Sequence, residues 1–469
     1  MSNDEPPLQL FEKQKKIYPK RVWGRYRELK WWAMVITLGI YYLAPFIRWD
    51  RGPYAPDQAI LIDLESRRAY WFFIEIWPQE VYYLTGILII AALALFFATS
   101  VLGRVWCGYL CPQTVWTDLY VWVERIIQGD RNARMKLDNA PLSFEKVWKK
   151  GLTHFIWLLI GLLTGGAFVF YFNDAPDLWN DILNFEVSYT VMTFMFGLTF
   201  STYLMAGYAR EQVCTYMCPY ARFQSAMFDN DTLIIGYDED RGEERGKYKK
   251  GQSWEDRGHC IDCSLCVQVC PTGIDIRKGL QMECIACGLC ADACDGVMEK
   301  LDLPKGLIGY YTPRHLANKD RSAEVRFIRP RTIYYTLFIS VVSLIMLYTL
   351  VTRSPLEIHS LHDRNPLYVK LSDGQIRNGY DIKILNKAYE HKEFSLSVDG
   401  LDDAEISVRG ITGSSIDALK ADADSVASYK IFVKAPRQDV HSLSIGFVLR
   451  DNDTGVTAKH ESLFISPER

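Results

Sequence analysis

Cys260-Ile-Asp-Cys263-Ser-Leu-Cys266-Val-Gln-Val-Cys270-Pro271, followed by Cys284-Ile-Ala-Cys287-Gly-Leu-Cys290-Ala-Asp-Ala-Cys294, is the stretch on which the reading of this 469-residue chain turns. Each run carries the spacing C-x2-C-x2-C-x3-C of bacterial two-cluster ferredoxins. A 4Fe-4S cube needs four thiolates on its corner irons, and cysteines at i, i+3 and i+6 in a tight loop reach three of them. The last cysteine of each run crosses to the other cube in that pattern. Cys260, Cys263 and Cys266 are therefore expected to share a cube with Cys294, and Cys284, Cys287 and Cys290 with Cys270. Two zinc ribbons are the alternative, but zinc uses two CxxC pairs per tetrahedral site and leaves the third regularly spaced cysteine without a role. Asp295 stands where the first run has Pro271, a change that alters hydrogen bonding near that cluster without removing a ligand.

Outside this module, apolar and polar stretches alternate. Five segments are long and apolar enough to cross a bilayer: 31–47, 81–102, 152–172, 188–209 and 332–351. The first leans on Trp31, Trp32, Tyr41 and Tyr42, residues that favour the membrane interface. Lysine and arginine crowd before the first segment and between the second and third, whereas 173–187 carries Asp174, Asp177, Asp181 and Glu186 and no cation. Cytoplasmic flanks accumulate cations, so the amino terminus is expected inside and the carboxyl terminus outside, in a bacterial inner membrane. The basic amino-terminal region lacks a small-residue cleavage site and reads as the flank of an uncleaved anchor. All twelve cysteines then fall on or near the reducing cytoplasmic side. A net charge of -3 gives no reason to expect nucleic acid as a partner.

Beyond the fifth span, period-two alternation appears in Leu367–Leu371, Tyr380–Leu385, Phe394–Val398, Glu405–Val408, Tyr429–Val433 and Leu443–Val448. Such segments bounded by Asp, Gly and Asn turns predict an immunoglobulin-like sandwich. His359 and His362, just after the span, read as solvated surface residues. The expected organisation is multidomain: a basic cytoplasmic amino terminus (1–30), four spans (31–209), an inserted two-cluster ferredoxin-like domain (210–331), a fifth span completing an α-helical membrane bundle (332–351), and a periplasmic all-β immunoglobulin-like sandwich (352–469).

The remaining four cysteines form a repeat. Trp106-Cys107-Gly-Tyr-Leu-Cys111-Pro112 follows the second span and Val213-Cys214-Thr-Tyr-Met-Cys218-Pro219 follows the fourth. If helical, each CxxxC pair projects from one face, and two such helices present four thiols to a common point. Each proline falls where a new helix can start, and a cysteine just before it sits at that helix's positive end, where the thiolate is favoured. Such a site suits a soft ion such as Cu(I), a further iron–sulfur cluster, or thiol–disulfide chemistry; the plainer reading is that the cysteines fill space. His154, early in the third span, should lie at the same depth, with a ligand, proton or quinone role open to it. Met205, Met217 and Met227 read as packing residues.

Taken together, these residues resemble the cytochrome c oxidase accessory proteins of the CcoG/FixG/RdxA type. The resemblance runs from the basic amino terminus through both CxxxCP motifs, Cys214-Thr-Tyr-Met-Cys218-Pro219-Tyr220-Ala-Arg222-Phe223-Gln224, Cys270-Pro-Thr-Gly-Ile-Asp-Ile276 and Met282-Glu-Cys284 to the outer sandwich. It implies a role in building the cbb3-type haem–copper oxidase by reducing Cu(II) to Cu(I). The leading reading of the residues places that copper at Cys107, Cys111, Cys214 and Cys218, with His154 as a further ligand. The implied partners are oxidase subunits or copper-delivery proteins and a cytoplasmic electron donor that the sequence leaves open. Two other readings stand beside it: a quinol-linked electron-transfer subunit that never binds copper, and a non-enzymatic assembly scaffold.

Overall fold

The computed structural model describes residues 16–248, 253–254, 257–317, 326–408, 411–413 and 415–467. Residues 1–15 of the basic amino terminus and Gly251, at the end of the charged stretch before the clusters, lie outside these. Thirteen α-helices are described: α1 (Arg25–Leu43), α2 (Tyr82–Leu102), α3 (Pro112–Gln128), α4 (Arg131–Asn139), α5 (Phe144–Val169), α6 (Ala175–Asn184), α7 (Tyr189–Thr202), α8 (Pro219–Ala226), α9 (Glu239–Gly242), α10 (Leu265–Val269), α11 (Leu289–Lys300), α12 (Pro313–Ala317) and α13 (Pro330–Val351). Five helical segments among the described residues are long and apolar enough to span a membrane: Arg25–Phe46, Pro78–Leu102, Phe144–Val169, Tyr189–Ala209 and Pro330–Val351. The last has a mean hydropathy of 1.9, with no part of its apolar window covered by protein. A bare apolar helix of that length is stable in lipid and not in water.

Two of these helices start earlier than the apolar runs suggest. α5 begins at Phe144, where the Ser143 hydroxyl accepts from the Lys146 N–H, so Lys146, Lys149 and Lys150 are helical. α1 begins at Arg25. Hydropathy marks the part of a helix that meets lipid, while capping decides where the helix starts. The link between α1 and α2 holds three short strands that the apolar runs did not reveal, β1 (Ile60–Asp63), β2 (Arg68–Trp71) and β3 (Ile74–Ile76), paired antiparallel in that order. Between α5 and α7 the close approach rests on small residues: a Cβ at Gly165 would meet the Thr199 nitrogen at 2.6 Å.

By their internal contacts the residues fall into two units, Met1–Ile47 with Gln58–Met346, and Arg48–Asp57 with Leu347–Arg469. The first unit joins the cluster-bearing region, expected as a separate insertion, to the first four spans. Its amino-terminal segment is a structural part of that joint. The Asp292 carboxylate accepts from the backbone N–H groups of Tyr26 (3.1 Å) and Arg27 (2.7 Å), capping α1, whose own N-cap, Gly24, has no side chain to do so. Arg27 and Lys30, each about 4% exposed, turn inward to Asp118 on α3 at 2.8 and 3.7 Å. Burial alone would raise the Asp118 carboxyl, but Lys30 and Arg27 outweigh it and hold it below the ordinary aspartate value. Strands β4 (Ile234–Tyr237) and β5 (Ile308–Tyr311) pair antiparallel behind the cysteine loops.

The second unit is an antiparallel sandwich. One sheet runs β11 (Ile411–Gly413), β10 (Glu405–Val408), β13 (Ser425–Ala435), β8 (Ile376–Asn386), β6 (Leu356–His362), with β7 (Val369–Lys370) also on β8. The other runs β12 (Ser415–Ala421), β9 (Lys392–Asp399), β14 (Ser442–Asp451), β15 (Thr457–Ile465). Alternate residues meet between them, and Tyr380, Ile382, Phe394, Leu396, Ile431, Phe447 and Phe464 are fully buried. The six alternating stretches lie on or beside β7, β8, β9, β10, β13 and β14. His362 is bonded to Asn378 (2.7 Å) within this sandwich.

The buried group at Asp118 is where the amino-terminal joint should fail first. Asp118→Asn leaves two buried cations opposite a neutral amide and is expected to cost roughly 3–5 kcal/mol, read as a lower unfolding midpoint in detergent. Because the folded value is depressed, the wild-type advantage should be full above the ordinary aspartate range and fade as pH falls through the depressed value.

Candidate iron–sulfur and thiol centre

The two cysteine runs fold into loops of matching shape. In each, the second residue after the first cysteine and the residue after the second cysteine take left-handed backbone: Asp262 and Ser264 (φ 51° and 54°), Ala286 and Gly288 (φ 51° and 72°). These turns wrap each loop around a hollow before the chain enters α10 or α11. Gly288 is needed where it stands, because a Cβ there would lie 2.6 Å from the Tyr26 ring.

One hollow is bounded by Cys260, Cys263, Cys266 and Cys294, the other by Cys270, Cys284, Cys287 and Cys290, and Cys266 lines both. Each hollow thus gathers three cysteines of one run and the last cysteine of the other. Burial pushes the thiols of Cys266 and Cys287 up to about 11 and those of Cys284 and Cys294 up to about 12. Among the described residues no three histidine, cysteine, aspartate or glutamate side chains are placed to hold one metal ion. Thiols set around a hollow suit a cube with four separate irons, and not a zinc ion at a single point. The eight cysteines therefore fit two 4Fe-4S clusters, each of which takes up or releases one electron.

The CxxxCP motifs take a local form that the i, i+4 argument missed. Trp106–Leu110 and Val213–Met217 are single π-helical turns, closed by Cys111 N–H to Trp106 O (2.9 Å) and Cys218 N–H to Val213 O (2.8 Å). Pro112 and Pro219 then start α3 and α8, with Cys111 and Cys218 as their N-caps. The widened turn is a feature frequent at functional sites. Cys214 lies within electrostatic reach of Cys111, Cys107 and Cys218, and Cys107 within reach of Cys111 and Cys218. Burial raises Cys107 to about 11, against a Gln224 amide that donates to its sulfur at 3.4 Å, and raises Cys214 to about 12.

This thiol group is built against the second cluster loop. Cys107 packs among Val269, Ile285, Cys287 and Leu289. A Cβ on Gly108 would stand 2.8 Å from the Ile285 carbonyl oxygen and 3.1 Å from Cys287 Cα. The Tyr109 hydroxyl donates to Cys287 O (3.0 Å), and the Arg104 guanidinium donates to the carbonyls of Met282, Cys284 and Ala221. His154 is placed differently. Its Nδ1 pairs with the Tyr203 hydroxyl (3.0 Å), and none of the four cysteines lines the cavity beside it. Arg104 and Asp292 have no role in the sequence reading, and Gln224 stands there only as the end of a motif; their position within or next to the cysteine motifs is the one signal that points to them.

Comparison with known proteins bears on these assignments. A 4Fe-4S dicluster domain matches residues 209–313, a 4Fe-4S binding domain matches 84–129, and the IG-like fold at the C-terminus of FixG matches 346–467. The nitrogen fixation protein FixG of Rhizobium meliloti is 46% identical, over 95% of this chain and 91% of the relative. Protein RdxB of Cereibacter sphaeroides is also 46% identical, over 99% and 98%. The chain belongs to the FixG/RdxA/RdxB family. It is a membrane iron–sulfur electron-transfer protein of that type. A crystal structure of a FixG-related protein from Vibrio parahaemolyticus covers 24% of this chain and 97% of its own, at 23% identity and a TM-score of 0.21.

The crossed ligand sets are separable by pairing substitutions. Cys294→Ala combined with Cys260→Ala should lower iron to the same level as either alone, about four of roughly eight atoms per chain. Cys294→Ala combined with Cys284→Ala should remove nearly all of it. Iron and acid-labile sulfide analysis of anaerobically purified protein reads both results.

Proposed function

We propose that this protein reduces Cu(II) to Cu(I) at Cys107, Cys111, Cys214 and Cys218, using electrons held by its two clusters, in the service of cbb3-type oxidase assembly. The observation that carries the reading is the packing of the Cys107–Tyr109 turn on the Cys284–Cys290 loop, which puts four gathered thiols next to an electron store. Copper is the substrate here. Cu(I) is softer than Cu(II) and prefers thiolate, so such a site favours reduction and retains the product. The half-buried Cys107 and Cys214 thiols are protonated at neutral pH, and copper binding must expel those protons. The thiols are gathered but not converged, so binding copper also draws them inward.

Sidedness follows the same proposal. Cations flank the Cys107 and Cys214 ends of the spans, which supports a cytoplasmic face for the clusters and an outer face for the sandwich. The partners of the reading are oxidase subunits or copper-delivery proteins on the output side and a cytoplasmic donor on the input side, beside any electrons that enter from the membrane.

A second reading has a specific observation behind it: the 4Fe-4S binding domain matched at 84–129 includes Cys107 and Cys111. Serine replacement separates the two. In Cys107→Ser/Cys111→Ser and Cys214→Ser/Cys218→Ser variants, Cu(I) affinity should fall by at least about tenfold and Cu(II) reduction with it, as hard hydroxyls replace soft thiolates. Iron content should stay at the wild-type value. Loss of iron in these variants would replace copper by a further cluster, and unchanged copper binding would leave the four thiols as packing residues.

A further inference from the structure

A cavity of about 350 Å³ opens beside the second thiol pair, among Lys150, His154, Trp157, Tyr208, Arg210 and Glu211. That volume lies in the range of small-molecule sites, about 300–1,000 Å³. Glu211 is the link to the thiols, since its charge acts on Cys214 one turn further along the chain. The walls come from the polar ends of two spans, α5 and the segment ending at Ala209, together with α3 at Glu124 and Gln128 and the amino-terminal segment at Lys16 and Ile17.

The cations around the cavity are already matched. Arg210 pairs with Glu124 at 2.7 Å, Lys150 pairs with Asp138 at 2.5 Å and donates to the Gln128 carbonyl, and Lys16 pairs with Asp138 at 2.8 Å. A phosphate or anionic headgroup would have to break those pairs and face Glu211. Two acceptors keep capacity for a donor. The Glu211 carboxyl accepts from its own backbone N–H and keeps further lone pairs, and burial holds it above the ordinary glutamate value despite that bond and Arg210. The His154 ring spends Nδ1 on Tyr203, whose hydroxyl continues to Tyr208 at 3.2 Å, and this leaves Nε2 open. Aromatic faces complete the site: His154 stacks on Tyr208 (5.9 Å, 16°) and meets Trp157 edge-on (5.1 Å, 87°).

Flat aromatic walls, a polar end near the membrane edge and two acceptors with lone pairs to spare match a neutral ring that carries hydroxyl donors. We propose that this cavity binds the ring head of a membrane hydroquinone, whose hydroxyls donate to Glu211 and to His154 Nε2. Oxidation to the quinone breaks both O–H bonds. The protons go to Glu211 and His154, and the two electrons leave singly to one-electron acceptors, a role that two 4Fe-4S centres fill. The site supplies an electron donor and does not depend on copper at the thiols.

Anaerobic equilibrium binding of decylubiquinol to the detergent-solubilised full chain tests this. Saturable binding at one per chain is expected, weakened about tenfold or more by Glu211→Leu and by His154→Phe, and within about twofold of wild type in Lys150→Met. Iron content in each variant reports folding. Inorganic phosphate and phosphatidylglycerol should not compete. Absence of saturable binding, equal binding in both acceptor variants, or displacement by phosphate or phosphatidylglycerol with loss in Lys150→Met would overturn the proposal, the last outcome assigning the cavity to an anion.

Discussion

No side chain fits at Gly108. Its Cα lies so close to the Ile285 carbonyl and to Cys287 that even a methyl group would force the cluster loop away. Packing at this density makes the end of a membrane span and a cluster loop one rigid piece. Arg104 strengthens the joint by donating to three carbonyls, one on Ala221 after the second thiol pair and two beside Cys284. Electron transfer depends on separations that do not drift, and this contact fixes the one between Cys107 and the Cys284–Cys290 loop.

The rest of the first unit serves that joint through buried charge. Asp292, in the helix that follows the second cluster loop, caps α1, and Asp118, seven residues after Cys111, receives Arg27 and Lys30 from the same helix. Glu124, nearly two turns further along α3, joins Arg134 and Arg210. Burial would raise its carboxyl, but Arg210 and Arg134 outweigh that and hold it low. Buried pairs of this kind give little net stability over an apolar packing, yet removing one partner is costly, so they fix which surfaces meet. The basic amino terminus therefore has a structural use beyond any part it plays in orientation.

What the sequence revealed depended on how local each constraint was. The cysteine runs carry their geometry in their spacing, because three thiolates of one cube must come from one tight loop. The apolar runs and the alternating strands were legible because hydropathy and period two repeat over many residues. The π-helical turns at Cys107 and Cys214 were not, since CxxxC fits an α-helix as well and the deciding factor is how Pro112 and Pro219 restart the chain. Strands β1 to β3 are three or four residues each, too short to stand out beside a span. Asp118 and Asp292 matter only through residues far away in the chain, and the Tyr203 bond of His154 likewise comes from another span.

The central claim is that electrons stored on the clusters reach copper at the thiol group. Cu(II) titrated into anaerobically reduced full-length protein, followed by EPR, measures this directly. The account predicts that each Cu(II) added loses its signal and removes one reduced-cluster spin, up to about two per chain, one for each cube. Persistence of the Cu(II) signal beside clusters that stay reduced would contradict it.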